Sequence, residues 1–399
     1  MTELTLAAEF PALDRAGWLK RVEAVLKGDS FESRLVNTTA DGLRLEPLYG
    51  QQPGPRAGRP FVQPWTISQR ADHPDPHKAN LQALDDLANG ATGLTLVAHG
   101  SATARGFGLD MDALPRILHD IHLHAIALRL EGGGAMALAK LVESQPLDPE
   151  RLDLSFGLKD TQAAEALANR GFVGPFLDAD GRHWHEAGAT DAEELGAVLG
   201  EAVGYLRKLD SFNDAYLVRA VSVTLAASQD MFATLAKFRA MRLLWARVLK
   251  AAGLADAPLR LHAETSWRMM ASLDPHTNIL RATAAVFGAS LGGSDSITVL
   301  PFSLKQGLPN GFSRRVARNV QNVLGAESNL WRVNDPASGA GYIETYTQGL
   351  CEKAWRFFQA TERGDWPKPD PGRKDVLPVI GTEAYRLPTE YPAEVEALA

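Results

Sequence analysis

From about Ala91 the chain repeats one pattern: a short apolar run rich in β-branched residues, a turn built from Gly, Asp, Ser or Pro, then a longer segment with apolar residues at helical spacing. The short runs are 93–97, 125–130, 152–156, 172–178, 220–225, 259–263, 296–300 and 330–333. Between them the spacing predicts helices over 191–208, 228–252, 277–291 and 312–324. Strict alternation predicts parallel strands covered by helices, and eight repeats predict an α/β fold closed into a (β/α)8 TIM barrel. An open doubly wound sheet is the competing arrangement, but the Gly-x-Gly-x-x-Gly turn that would mark it is absent.

Several runs carry polar residues where barrel interiors are normally filled by Val, Ile or Leu: Ser155, Ser222, Thr224, His262, Ser296 and Thr298. Either these face the helices or bond locally, or the barrel axis is partly open and polar, wide enough for a long thin ligand. Residues 1–75 read as an N-terminal arm and lead-in. They hold an amphipathic helix over 10–28, a hairpin-like excursion around Asp41-Gly42, and a Gly/Pro/Gln-rich stretch over 50–60 in which no helix or central strand would survive. Such an arm packs on its own barrel or embraces a partner. Residues 76–363 are then the barrel, and 364–399 a Pro-rich C-terminal tail laid on the surface.

Composition narrows the classes. The 399 residues include 41 Lys+Arg against 48 Asp+Glu, a net charge of −7, with both signs interspersed and no basic stretch interleaved with aromatics, which argues against a nucleic-acid partner. A single cysteine, Cys351, permits no internal disulfide and no Cys/His zinc spacing, so a reducing compartment fits. The start carries Glu3 and Glu9 and no basic region followed by an apolar core, and no uncharged apolar run reaches the roughly 18 residues of a membrane span. A cytoplasmic protein with no membrane partner is expected.

The densest polar cluster, Asp178 to Ala189, follows the fourth run and belongs at the C-terminal face, where barrels build active sites. In extended backbone His183 and His185 would point to one side and, with nearby carboxylates, could hold a divalent metal for hydrolysis. The alternative has no metal: one imidazole faces the mouth as a proton or hydrogen-bond donor to a substrate carbonyl, and the other packs. His262 and Glu264 form a second cluster after the sixth run, readable as a buried hydrogen-bonded pair or as ligand contacts. Lys237, Arg239 and Arg242 lie inside a helix, where basic residues usually make a solvated face. Walker A, Gly-x-Ser-x-Gly and His-Glu-x-x-His motifs are missing.

Taken together, a set of segments resembles the barrel of the methylmalonyl-CoA mutase family. They include Pro64-Trp65-Thr66-Ile67, Glu186-Ala187-Gly188-Ala189, Phe238-Arg239-Ala240-Met241-Arg242, Thr265-Ser266-Trp267-Arg268, Gly292-Gly293-Ser294-Asp295-Ser296, Phe312-Ser313-Arg314-Arg315 and Arg332-Val333-Asn334-Asp335-Pro336, in the family's order. The resemblance implies a barrel that binds acyl-CoA along its axis. It also implies a system that interconverts methylmalonyl-CoA and succinyl-CoA by adenosylcobalamin radical chemistry, the barrel excluding water and orienting the reacting groups. It places His183 where the family's histidine bonds the thioester carbonyl, and Arg239 where a basic residue lies near substrate or CoA.

The departures from the family pattern are specific. Arg70 stands where catalytic members have the tyrosine that lines the site, and Leu300-Pro301-Phe302-Ser303-Leu304 replaces Asn-Ala-Leu-Asp-Glu, whose glutamate meets the adenosyl ribose. The sequence runs to Ala399 without the Asp-x-His-x-x-Gly of the family's cobalamin-binding flavodoxin-like domain. The expectation is therefore a supporting small subunit, reduced to its barrel, that partners a large catalytic mutase subunit. Adenosylcobalamin would belong to the assembled system and would not be bound by this chain alone. A catalytic barrel acting with a separate cobalamin-binding subunit is the alternative implied by the resemblance; a metal-dependent hydrolase on His183 and His185 is the alternative from the residues. Candidate site residues are His183 for catalysis and Arg239, His262 and Glu264 for substrate or CoA.

Overall fold

The structure, a computed structural model, describes residues 13–209, 211–372 and 379–397. Eight strands form its centre: β1 (Thr66–Ala71), β2 (Gly93–Val97), β3 (Ala127–Glu131), β4 (Asp153–Ser155), β5 (Leu177–Asp180), β6 (Val221–Ala227), β7 (Arg260–Thr265) and β8 (Ser296–Thr298). All pairings between neighbours are parallel, and β1 pairs with β8, Thr66 opposite Ser296. The remaining seam, between β4 and β5, is bridged by Phe156 N–H donating to Pro175 O (3.0 Å), Leu158 N–H to Phe176 O (2.9 Å) and Asp178 N–H to Leu158 O (3.1 Å). The sheet is thus a (β/α)8 barrel, as the alternation predicts.

Two expectations need correction. Residues 330–333 form turns after a helix, and the strand that completes the barrel is β1, inside the segment read as the arm. The reason is chemical. β1 reads Thr-Ile-Ser-Gln-Arg-Ala, with buried polar side chains at Ser68, Gln69 and Arg70, so no apolar run announces it.

Side chains alternate across a strand, and here the alternation separates two environments. Leu94, Leu96, Leu128, Leu130, Val223, Leu225 and Leu261 are buried in the main apolar core with residues of the surrounding helices. Their strand neighbours Thr95, Arg129, Glu131, Ser222, Thr224, His262 and Glu264 are equally buried but bond to one another in the barrel interior. The outer ring used below comprises α1 (Pro76–Ala88), α2 (Ala135–Glu143), α3 (Thr161–Ala168), α4 (Arg182–Glu186), α5 (Asp191–Leu206), α6 (Met231–Ala251), α7 (Thr277–Leu291), α8 (Gly311–Asn322) and α9 (Gly341–Thr361). Several starts are capped by side chains: Asp75 accepts from His77 and Lys78 N–H ahead of Pro76, and Thr190 with Glu193 forms a capping box on α5. No helix among the described residues is long and apolar enough to cross a membrane.

The arm contributes a helix (Arg15–Leu26) and a hairpin (Asn37–Thr38 with Arg44–Leu45) whose turn residue Asp41 accepts from Ala192 N–H at 3.2 Å. Two described parts of the tail lie against the C-terminal face. Trp366 stacks on Trp184 with ring centroids 5.8 Å apart, and Glu396 reaches His73 (3.2 Å), Lys78 (3.1 Å) and Gln82 (3.0 Å) at the mouth end of β1 and on α1.

Candidate functional site at the barrel mouth

Of the two readings left open for the polar strand residues, the interior is polar as in the second, but ion pairs cross it. Arg129 on β3 reaches Asp178 on β5 (2.8 Å), Thr224 on β6 (2.7 Å) and Glu131 (3.2 Å). Arg182, at the first residue of α4, pairs with Glu131 (3.0 Å), Asp180 (2.7 Å) and Glu264 on β7 (2.9 Å). Arg70 on β1 binds Asp72 (2.5 Å) and the Thr103 carbonyl (2.6 Å), while the Thr103 hydroxyl donates to Glu131 (2.7 Å). Below this layer, Ser68, Thr95 and Thr298 are linked by hydroxyl contacts of 2.8 and 3.1 Å. The interior is a connected ionic plug.

Electrostatics sort its members. Burial alone would raise Glu131, but Arg182 and Arg129 overcome it and hold the carboxyl well below the usual range. Asp178 is lowered in the same way, with Arg129 and the Ser222 hydroxyl outweighing burial. Glu264 goes the other way, raised because burial outweighs the attraction of Arg182. His262 donates to or accepts from Ser296 Oγ at 2.7 Å, and its Nε2 has no partner; burial, then Arg129, pushes its pKa far down and keeps the ring neutral. His262 and Glu264 are thus brought into one cluster inside the barrel.

The two histidines of α4 separate. The backbone turns helical at Arg182, so His183 and His185 do not share a side as extended backbone would require. His183 is exposed, its ring 5.1 Å from that of Trp184. His185 is buried, its Nε2 2.7 Å from Ser266 Oγ and its Nδ1 3.6 Å from Glu194 Oε2. Burial, with Lys237 and Arg268 nearby, keeps it neutral. Ser266, His185 and Glu194 form a hydroxyl, imidazole, carboxylate line, but the serine is only 2% exposed, so it serves packing. Among the described residues the cluster with converging metal-ligand atoms is His185, Asp191 and Glu194, and the Lys237 ammonium, 2.8 Å from each carboxylate, already supplies the cation. The hydrolase expectation built on His183 with His185 therefore lacks its geometry.

Arg239 is also placed elsewhere. On α6 it faces the outer layer, where it pairs with Asp335 (2.8 Å) and Glu344 (3.0 Å) and donates to Thr347 (3.1 Å) and the Pro55 carbonyl (3.4 Å). It fastens the arm to α9 and does not reach the mouth. Around the mouth the chain instead supplies Arg105, paired with Glu186 and lying 4.7 Å over the Trp267 ring, and Lys305, also 4.7 Å from that ring. Of the plug residues, Asp178 and Arg182 fall in the polar cluster 178–189 read from the sequence, whereas Arg129 and Glu131 were not singled out, although an ionisable residue inside an apolar strand run, such as Arg129 in 125–130, is the signal that marks them.

Comparison with known proteins matches residues 176–364 to the family model described as methylmalonyl-CoA mutase. The chain is 37% identical to a protein of Streptomyces virginiae named methylmalonyl-CoA mutase small subunit, over 91% of this chain and 65% of that one. It is 32% identical to the protein of the same name from Propionibacterium freudenreichii subsp. shermanii, over 91% and 64%. Sequence similarity over most of this chain thus runs to the methylmalonyl-CoA mutase family. A third relative, the probable methylmalonyl-CoA mutase small subunit of Mycobacterium bovis, is 35% identical over 84% of this chain and 59% of its own length. The chain spans about two thirds of the length of these methylmalonyl-CoA mutase relatives, or somewhat less.

Proposed function

We propose that this chain is the supporting, non-catalytic subunit of a methylmalonyl-CoA mutase. It would hold a larger catalytic chain that interconverts methylmalonyl-CoA and succinyl-CoA by adenosylcobalamin radical chemistry. The observation that carries the reading is the ionic plug: Arg70, Arg129 and Arg182 meet Asp72, Glu131, Asp178 and Glu264 across the axis, where an acyl-CoA chain would have to run. Opening that axis would strip several buried charges of their partners at once, a cost of several kcal/mol per ion.

The residues at the mouth do not fit the adenosyl group. Leu300, Phe302 and Leu304 beyond β8 are buried and apolar, offering the ribose neither a carboxylate nor a hydroxyl, and Arg105 and Glu186 are engaged with each other. Chemistry in the assembled enzyme is assigned to the partner.

The test is a binding titration of the isolated chain with methylmalonyl-CoA and with adenosylcobalamin, repeated after adding the full-length large mutase chain of the same organism. The expected result is no saturable binding by the isolated chain and a stable complex with the large one. Saturable methylmalonyl-CoA binding by the isolated chain, lost in His183→Ala, would overturn the reading.

A further inference from the structure

Helix α8 is built inside out. Its barrel-facing side is polar: Ser313, Arg314, Arg318 and Gln321 are buried, Arg314 and Arg318 both pair with the single carboxylate of Asp86, and Gln321 Oε1 accepts from Trp65 Nε1–H at 3.1 Å. Its apolar residues Phe312, Val316, Val320 and, just past its end, Val323 recur at helical spacing toward the other side, Val320 at the edge of the stripe still packing on the core and Phe312 61% and Val323 44% exposed. Together with Thr283 of α7 and Leu324 they line a groove of about 540 Å³, and Leu280, one turn from Thr283, is 69% exposed. A surface helix normally buries its apolar stripe, and two arginines held inside by Asp86, with Asp85 3.8 Å from Arg318, are an expensive way to do the reverse.

The groove also states what should fill it. Arg315 lies in its lining, makes no hydrogen bond or ion pair with any described residue, and no lining residue is acidic. A second copy of this face would bury two arginines and bring no carboxylate. We infer that the α7/α8 face docks an amphipathic helix of a different chain, one whose apolar stripe is flanked by an Asp or Glu that pairs with Arg315. This rests on the partner reading above and locates the contact: the large chain supplies that helix.

The experiment uses the full chain and the full-length large mutase chain of the same organism, with complex formation followed by analytical ultracentrifugation and by hydrogen exchange. The double variant Val316→Asp, Val320→Asp is expected to weaken the complex at least about 30-fold, as for loss of a central apolar anchor, and Arg315→Glu about tenfold. In the wild-type complex, exchange should slow over 311–324 and 277–291. If the double variant fails to fold, that exchange footprint decides alone. A wild-type complex that forms with unchanged exchange over 311–324, or that the variants leave intact, overturns this inference and leaves the partner reading standing. A homodimer of this chain that the double variant dissociates also overturns it. Failure of the wild-type chains to associate overturns both.

Discussion

The guanidinium of Arg182 lies 2.9 Å from the carboxylate of Glu264, and the same guanidinium holds Glu131 at 3.0 Å, so one side chain from the start of α4 ties β7 to β3 across the barrel. All three groups are at most 4% exposed. In such a setting the loss of one partner matters more than the pair's net worth, because the charges left behind have no water to turn to.

Arg182→Met should accordingly destabilise the fold by about 3–5 kcal/mol, since it leaves Glu131, Asp180 and Glu264 without their shared cation. Urea unfolding measures this directly. A loss below about 1 kcal/mol would mean that the network does not bear on stability as the geometry requires.

Arg239→Met should cost a similar ~3–5 kcal/mol by orphaning Asp335 and Glu344. It should also expose the arm, because the same guanidinium holds the Pro55 carbonyl. Limited proteolysis should cut faster within 50–60 in the variant than in the wild type, and equal cleavage rates would contradict the role assigned to Arg239.

Asp41 makes stability depend on pH. Burial, reinforced by Asp191, raises its carboxyl to about 6 in the folded chain from an unfolded value near 3.8. The folded state therefore holds the extra proton between these values, and the group's stabilising contribution is complete below about pH 4 and is lost as pH rises past 6. Asp41→Asn, which cannot ionise, should gain melting temperature relative to the wild type on going from pH 4 to pH 7. A difference that stays constant or shrinks over that range would refute the assignment.

Gly188 has φ +96°, and a Cβ there would sit 1.9 Å from the Asp370 carbonyl. Gly188→Ala should therefore strain the backbone by about 1 kcal/mol and lift the tail from α4. Faster hydrogen exchange in 366–372 and loss of the Trp184–Trp366 stacking signal in near-ultraviolet circular dichroism would report it.

Seven of the eight barrel strands were legible because their helix-facing half is apolar, as in Leu94 and Leu96 or Leu128 and Leu130. β1 escaped because its inward residues are Ser68 and Arg70, which break the run. Leu330 to Val333 misled for the opposite reason, having strand-like composition in a segment that only turns. His183 and His185 depended on a local choice of backbone, extended or helical, that an alternating pair cannot decide. Arg239 could not be placed because its partners, Asp335 and Glu344, lie about a hundred residues away along the chain. The interior charges were the least legible part, since a buried arginine and a solvated one look alike until the residue opposite is known.

The plug has an evolutionary consequence. A barrel stoppered by hydrocarbon can be hollowed one methyl group at a time, each step tolerable. A barrel stoppered by interlocked ions offers no such gradual route: deleting any one of Arg70, Arg129 or Arg182 strands the acids around it, and deleting an acid strands an arginine. Once a barrel interior is filled in this manner, single substitutions lead only downhill in stability, and the packing behaves as a ratchet.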